Sequence, residues 1–138
     1  MERSLVLIKP DAMERELAGA IIGRLQQEGL KLKGLKMLRL DWSLAERHYA
    51  VHKGKSFFND LIDYITSTPI VAAAFEGENA VERVRKLMGA TDPAKAAPGT
   101  IRKDFGLDLT RNAIHGSDSP ENAEKEIALF FRKSELFG

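Results

Sequence analysis

Apolar and polar residues follow two rhythms along the chain. Residues 4 to 9, SLVLIK, form an unbroken apolar run ending in a lysine, the pattern of a strand covered on both faces. Pro10 stops it. Asp11 and Glu14 have the spacing of a capping box, and Leu17, Ala18, Ile21, Ile22 and Leu25 recur at helical intervals until Gly29, so one helix is expected over residues 11 to 29. Residues 30 to 40, LKLKGLKMLRL, alternate apolar and basic positions but change phase near Gly34, as a bulged strand with lysines on a solvated face does. Ser43 and Glu46 repeat the capping-box spacing ahead of LAERHYAVHK, and FFNDLIDYIT reads as a further helix or pair of helical turns before Pro69.

IVAAAF, residues 70 to 75, is a third strand, followed by a helix over residues 78 to 88 that Gly89 closes. Periodicity then disappears from residue 90 to about 109, a stretch holding Pro93, Pro98, Gly99 and Gly106; a connection of that length inside a compact domain is more often functional than idle. RNAIH is a short fourth strand, and Ser119 before Pro120 caps a last helix, PENAEKEIALFF. The order suits an α/β protein of the α+β kind: a ferredoxin-like βαββαβ antiparallel four-stranded sheet with helices on one face, plus an inserted helical pair and a long loop. A doubly wound sheet is the weaker alternative. No repeat or linker interrupts residues 1–138, which read as one domain.

Composition narrows the field. Hydrophobic residues make up 43% and charged ones 30%, an ordinary globular balance for 138 residues. The 21 basic and 20 acidic side chains leave a net charge of +1, so no global field argues for nucleic acid or an anionic membrane, and any basic site must be local. The absence of cysteine excludes disulfides and thiolate catalysis, and fits a reducing cytoplasm. Apolar runs such as IVAAAF are too short to span a bilayer, and MERSLVLIKP lacks a signal peptide's apolar segment, so a soluble, cytoplasmic protein is expected.

Several motifs have ordinary explanations. GKS at residues 54 to 56 lacks the leading glycine of a P-loop, because Tyr49 stands in its place, and reads as surface loop. His48 and His52 sit four apart on an expected helix, but without the glutamate of a zinc protease between them they read as partly exposed helix residues. Gly19 and Gly23 are spaced for close packing of helix on sheet.

Lys9 at the end of its strand, Arg85 beside an apolar helical stripe, and Arg102 in the long loop could together hold a polyphosphate, with Thr91 and Asn112 adding neutral hydrogen bonds. His115 ends the fourth strand and is followed by Gly116. Taken alone it suits a satisfied core histidine at least as well as a reactive one. As a reactive group, a neutral imidazole is a nucleophile near pH 7, and a carboxylate on its far nitrogen would fix its tautomer; Glu121, Glu124 and Glu126 are all candidates. The helix start at Ser119 adds a positive dipole end nearby that favours an anion.

IKPDA at residues 8 to 12, FF at 57 and 58, LMGATDP at 87 to 93, APGTIR at 97 to 102 and NAIHGSD at 112 to 118 occur in an order that resembles the nucleoside diphosphate kinases. The resemblance implies a ping-pong enzyme in which His115 takes the γ-phosphate of a nucleoside triphosphate, typically ATP, as phosphohistidine and passes it to a nucleoside diphosphate, with Mg²⁺ on the phosphates. It implies that Lys9 contacts phosphate and sugar, that Arg85, Thr91 and Arg102 bind phosphates, and that Asn112 faces the ribose. Phe57 would stack on the base between apolar walls from Leu61 and Leu109. Tyr49 would lie beside His115, Glu126 would orient the ring, and Ser117 would support it. Stacking without base-edge contacts implies tolerance of every base.

Val51 departs from relatives that are acidic there, and the end at RKSELFG is shorter than in animal forms. The resemblance implies a homo-oligomer, a hexamer rather than a tetramer, with Pro98 in the loop that packs between subunits. The competing reading is a non-catalytic ferredoxin-like module for nucleotide or nucleic acid, which would display aromatics on its strands; only Phe75 qualifies.

Overall fold

A computed structural model describes all of residues 1–138. Four strands, β1 (Glu2–Ile8), β2 (Lys31–Leu38), β3 (Ile70–Gly77) and β4 (Ile114–Gly116), make one sheet in the order β2-β3-β1-β4, every neighbouring pair antiparallel. β1 sits inside the sheet, which explains its unbroken apolar run. Leu5 and Leu7 enter one core and Val6 and Ile8 the other. β3 divides likewise, with Ala72 and Ala74 on one side and Ala73 and Phe75 on the other.

Helices therefore cover both faces rather than the single face expected. Helices α2 (Ala18–Gln27) and α5 (Ala80–Met88) close one core through Ile21, Leu25, Val84 and Met88. Helices α3 (Trp42–His48), α4 (Phe58–Ile65) and α7 (Pro120–Phe130) close the other through Ala45, Ile62, Ile65, Ile127 and Phe130. Each large side chain so buried contributes about 1.5–3 kcal/mol relative to exposure. The physical reason is in the strands: with apolar groups on both faces of β1 and β3, a single helical layer would leave one set in water.

Some local expectations hold and others shift. The bulge falls where the phase change placed it, as a register break between Leu32 and Gly34. Ser119 caps α7, its hydroxyl accepting from Asn122 N at 3.1 Å. The first helix, by contrast, is two: α1 (Pro10–Glu14) ends at a turn in which Glu16 takes φ 59°, and α2 starts afresh. Asp11 is not its cap, because its carboxylate turns inward to other partners. The third helix starts at Asp41 rather than Ser43, the Asp41 side chain accepting from Leu44 N at 2.8 Å. The stretch from 90 to 109 holds a 3-10 turn at Pro93–Lys95 and helix α6 (Ile101–Phe105), the latter capped by Thr100. No helix is long and apolar enough to cross a membrane.

Candidate active site

β4 is a short edge strand, and its register decides where its histidine points. His115 pairs with Leu7, and directly opposed residues of an antiparallel pair share a face, so His115 looks toward the helices that cover Leu7. There Glu126, in the second turn of α7, accepts from the His115 Nε2–H at 3.0 Å. Ser117 Oγ donates to the same Glu126 oxygen at 2.8 Å while accepting from Leu5 N at 3.0 Å. Burial by itself would raise the Glu126 carboxyl, but these bonds and the nearby imidazoles hold it below the usual carboxylate range. An ionised carboxylate can only accept, so the proton of a neutral His115 ring belongs on Nε2 and its lone pair on Nδ1.

The turn entering β4 is braced from the far end of the chain. Ala113 is fully buried at φ 74°, a left-handed conformation that costs a residue with a Cβ about 1–3 kcal/mol. Its N–H donates to Asp11 Oδ2 at 3.0 Å, and its carbonyl accepts from Lys9 N at 2.9 Å. Tyr64 Oη donates to the other Asp11 oxygen at 2.5 Å. Gly116 follows His115 because α5 lies against it: a Cβ there would overlap Met88 Sδ and Val84 Cγ1.

Three cations surround this strand end without a carboxylate within 4 Å. The Arg102 guanidinium donates to Ile114 O at 2.9 Å and Gly89 O at 3.2 Å, while its Nε is buried and unpartnered. Burial, reinforced by Arg85, pushes its pKa down to about 10. Lys9 Nζ donates to Thr110 O at 2.5 Å and Asn112 Oδ1 at 2.8 Å. Burial lowers its pKa to about 8, Asp11 opposing that shift and Arg102 adding to it. The Asn112 amide in turn donates to Thr91 O at 3.0 Å and Leu109 O at 3.1 Å. Arg85 is exposed and makes no ion pair.

An open cleft of ≈ 460 Å³ collects His115, Glu126, Tyr49, Arg85, Thr91, Arg102, Asp118, His48 and His52. A larger depression of ≈ 610 Å³ shares Arg85 and Asp118 with it but holds no imidazole, so the smaller one is where the chemistry concentrates. A polarisable nucleophile beside unpaired cations suits an anionic, phosphorylated substrate.

The family model for nucleoside diphosphate kinase matches residues 2–136. The chain belongs to the nucleoside diphosphate kinase family. It is 60% identical over 136 residues to a nucleoside diphosphate kinase of Dehalococcoides mccartyi, covering 99% of this chain and 96% of that one. Among solved structures it is similar to the nucleoside diphosphate kinase of Aquifex aeolicus, with TM-score 0.95, 46% identity and 98% of each chain covered. It is also similar to that of Halobacterium salinarum in complex with CDP, with TM-score 0.96, 51% identity, and 99% of this chain and 91% of that one covered. The chain is thus a nucleotide-binding phosphotransferase with nucleoside-diphosphate kinase activity.

Of the remaining site candidates, Tyr49 lines the cleft, whereas Phe57, Leu61 and Leu109 sit outside its lining. Phe57 precedes α4, 43% exposed, with its ring centroid 5.5 Å from that of His52. Leu61 lies one turn on, half-buried. Leu109, 63% exposed, lines a neighbouring depression with Tyr64 and Arg111. Tyr49 is pushed up to about 12 by burial and by Glu126. Val51 is exposed at the cleft mouth.

Pattern reading missed three groups. His48 is the partly exposed helix residue expected, but its ring stands edge-on to His115, centroids 4.7 Å apart, and packs on Phe130 at 5.4 Å, with both ring nitrogens sealed from solvent. Burial and His115 push its pKa down to about 3. Its signal was present, since Leu44, Ala45, His48 and Tyr49 form a helical stripe. Asp11 was read as a cap, and Asp118 only as part of a motif.

Proposed function

We propose that this nucleoside diphosphate kinase works by ping-pong transfer through a phosphohistidine at His115. The carrying observation is that the imidazole has one nitrogen committed to Glu126 at 3.0 Å while Arg85 and Arg102, unpaired, line the same cleft. Nδ1 attacks the γ-phosphorus, the N–P bond forms as the bond to the bridging oxygen breaks, and the nucleoside diphosphate leaves with that electron pair. The ring gains positive charge, which Glu126 answers through Nε2–H, with Ser117 holding the carboxylate in place. A second nucleoside diphosphate then attacks the phosphohistidine through a terminal oxygen. One site serves both halves, so donor and acceptor never bind together.

Arg85, Thr91 and Arg102 align the phosphates, and Lys9 contacts the transferring group and sugar. Asn112 faces the ribose, Phe57 stacks on the base, and Leu61 and Leu109 form its apolar walls. Tyr49 packs beside the nucleophile. Such a site accepts every base by its π-face, in keeping with the CDP held by the Halobacterium salinarum relative. Mg²⁺ fits the donor set: it keeps several waters and takes one or two carboxylates plus substrate phosphates, and Asp118 is the cleft carboxylate not bonded to an imidazole. It would neutralise phosphate charge. The chain acts as one cytoplasmic domain in a homo-oligomer, a hexamer rather than a tetramer. The exposed Leu35 and Met37 of edge strand β2 suit burial against a second copy, and light scattering would report the count.

The test is incubation with γ-labelled ATP and Mg²⁺ without acceptor. Stoichiometric, acid-labile, base-stable label that any nucleoside diphosphate removes is expected, and His115→Ala should take none while keeping its fold. Absence of label on the native chain would sink the mechanism.

A further inference from the structure

His48, His115 and Glu126 each present a ligand atom, and the three atoms all lie within 4.8 Å of one another. Two imidazoles and a carboxylate form a recurrent zinc-binding set, with the fourth position left to water. Bonds of about 2.0–2.2 Å in tetrahedral geometry put ligand atoms roughly 3.3 Å apart. His115 Nε2 and Glu126 Oε1, at 3.0 Å, already have nearly that spacing. The other observation is independent: both ring nitrogens of His48 are sealed from solvent and have no hydrogen-bond partner. Neither Phe130 nor Tyr49 packed against the ring uses them. A buried polar atom left without a partner is costly, and a neutral imidazole keeps one lone pair to give.

We propose that these three residues form an inhibitory site for a zinc-class divalent cation, distinct from the hard Mg²⁺ that travels with phosphate. The ion takes the place of the proton between His115 Nε2 and Glu126 Oε1, and the His48 ring turns to supply the third ligand. The displaced proton moves to His115 Nδ1, so the ring stays neutral and no proton is lost from the chain. The nitrogen whose lone pair would attack phosphorus becomes an N–H. Inhibition therefore acts through the tautomer of the nucleophile, not by filling the phosphate subsite, and added nucleotide does not relieve it except by chelating the metal. Mg²⁺ does not compete, because it takes oxygen ligands and this site offers two nitrogens. The inhibitory part rests on the reading of His115 Nδ1 as nucleophile; the binding part does not.

The experiment titrates the full chain with Zn²⁺ in Mg²⁺-free, nucleotide-free buffer, against a chromogenic chelator and by long-range ¹H–¹⁵N spectra of the histidine rings. One Zn²⁺ per chain is expected. His115 should pass from the Nε2–H to the Nδ1–H tautomer, and His48 should shift while His52 does not. His48→Phe, which keeps a ring against Phe130, should weaken binding at least tenfold, and His52→Ala should leave it unchanged. Unaltered binding in His48→Phe, or a His115 that stays Nε2–H at saturation, overturns the site; the spectra decide this on the native chain even if the variant does not fold. Acceptor-free labelling then reads the consequence. Label on the native chain should fall at least tenfold at saturating Zn²⁺, and label on His48→Phe should stay at its own zinc-free value. Undiminished label alongside the tautomer change overturns the inhibition and the Nδ1 assignment, whereas a chain that takes no label even without Zn²⁺ counts against the proposed function alone.

Discussion

On the α7 side of the cleft, charge is answered inside the chain: Glu126 takes the His115 N–H and the Ser117 hydroxyl, and Ser117 is tied to Leu5 of β1. On the opposite side Lys9 and Arg102 meet backbone carbonyls and an amide, Arg85 is exposed, none of the three meets a carboxylate, and burial depresses the pKa of Lys9 and Arg102. The first side is complete without a ligand. The second holds positive charge at a cost in stability, which an anionic substrate would offset. This division suits a transferase whose nucleophile must be oriented before substrate arrives while its phosphate subsite discharges and reloads.

Breaking the complete side should have the largest effect. Glu126→Gln removes the charge that answers the imidazolium, and should lower kcat by roughly 10²-fold while leaving nucleotide Kd within about twofold. Pre-steady-state phosphorylation beside equilibrium binding would measure both; an equal loss in Kd would dissolve the contrast. Asp11→Asn comes next, since it weakens the charged acceptor of the strained Ala113 N–H and should cost about 1–3 kcal/mol in urea unfolding. Its kcat should fall with it, because that turn aims β4.

On the incomplete side, Arg85→Ala should weaken nucleotide binding about tenfold, equivalent to about 1.4 kcal/mol, and leave unfolding within about 0.5 kcal/mol because the side chain is exposed and unpaired. Calorimetry and denaturation on the same variant separate the two. The smallest effect concerns pH. Lys9 titrates near 8 in the fold against an ordinary 10.5, so between these values the unfolded chain binds more protons there and this group's contribution to stability rises with pH. Phosphate affinity should move the opposite way, declining a few-fold as the charge is lost, with the midpoint displaced upward in the complex because an anion favours the charged form. Subtracting the profiles of Lys9→Met isolates both trends.

Sequence alone leaves Glu121, Glu124 and Glu126 all open as partners for His115, and only the family motifs point to Glu126. In the structure Glu121 lies beside Lys125, Glu124 pairs with Arg3, and Glu126 faces the ring. His48 stood in a visible helical stripe, yet nothing local says that the stripe's far neighbour is another histidine. Asp11 carried a convincing cap spacing that its inward-turned side chain refutes.

Strand and helix types, the bulge near Gly34, the Ser119 cap and the motif series were all readable along the chain, because hydrophobic period and turn chemistry act over a few residues. The second helical layer could have been inferred from the two-faced apolar run of β1, though order alone suggested one. The pairing of His115 with Glu126, the brace from Asp11 to Ala113 and the approach of His48 needed the fold. They join residues 11 to 102 positions apart, and their proximity is set by the register of β1 against β4 and the packing of α3 and α7 on that sheet, which no local pattern encodes.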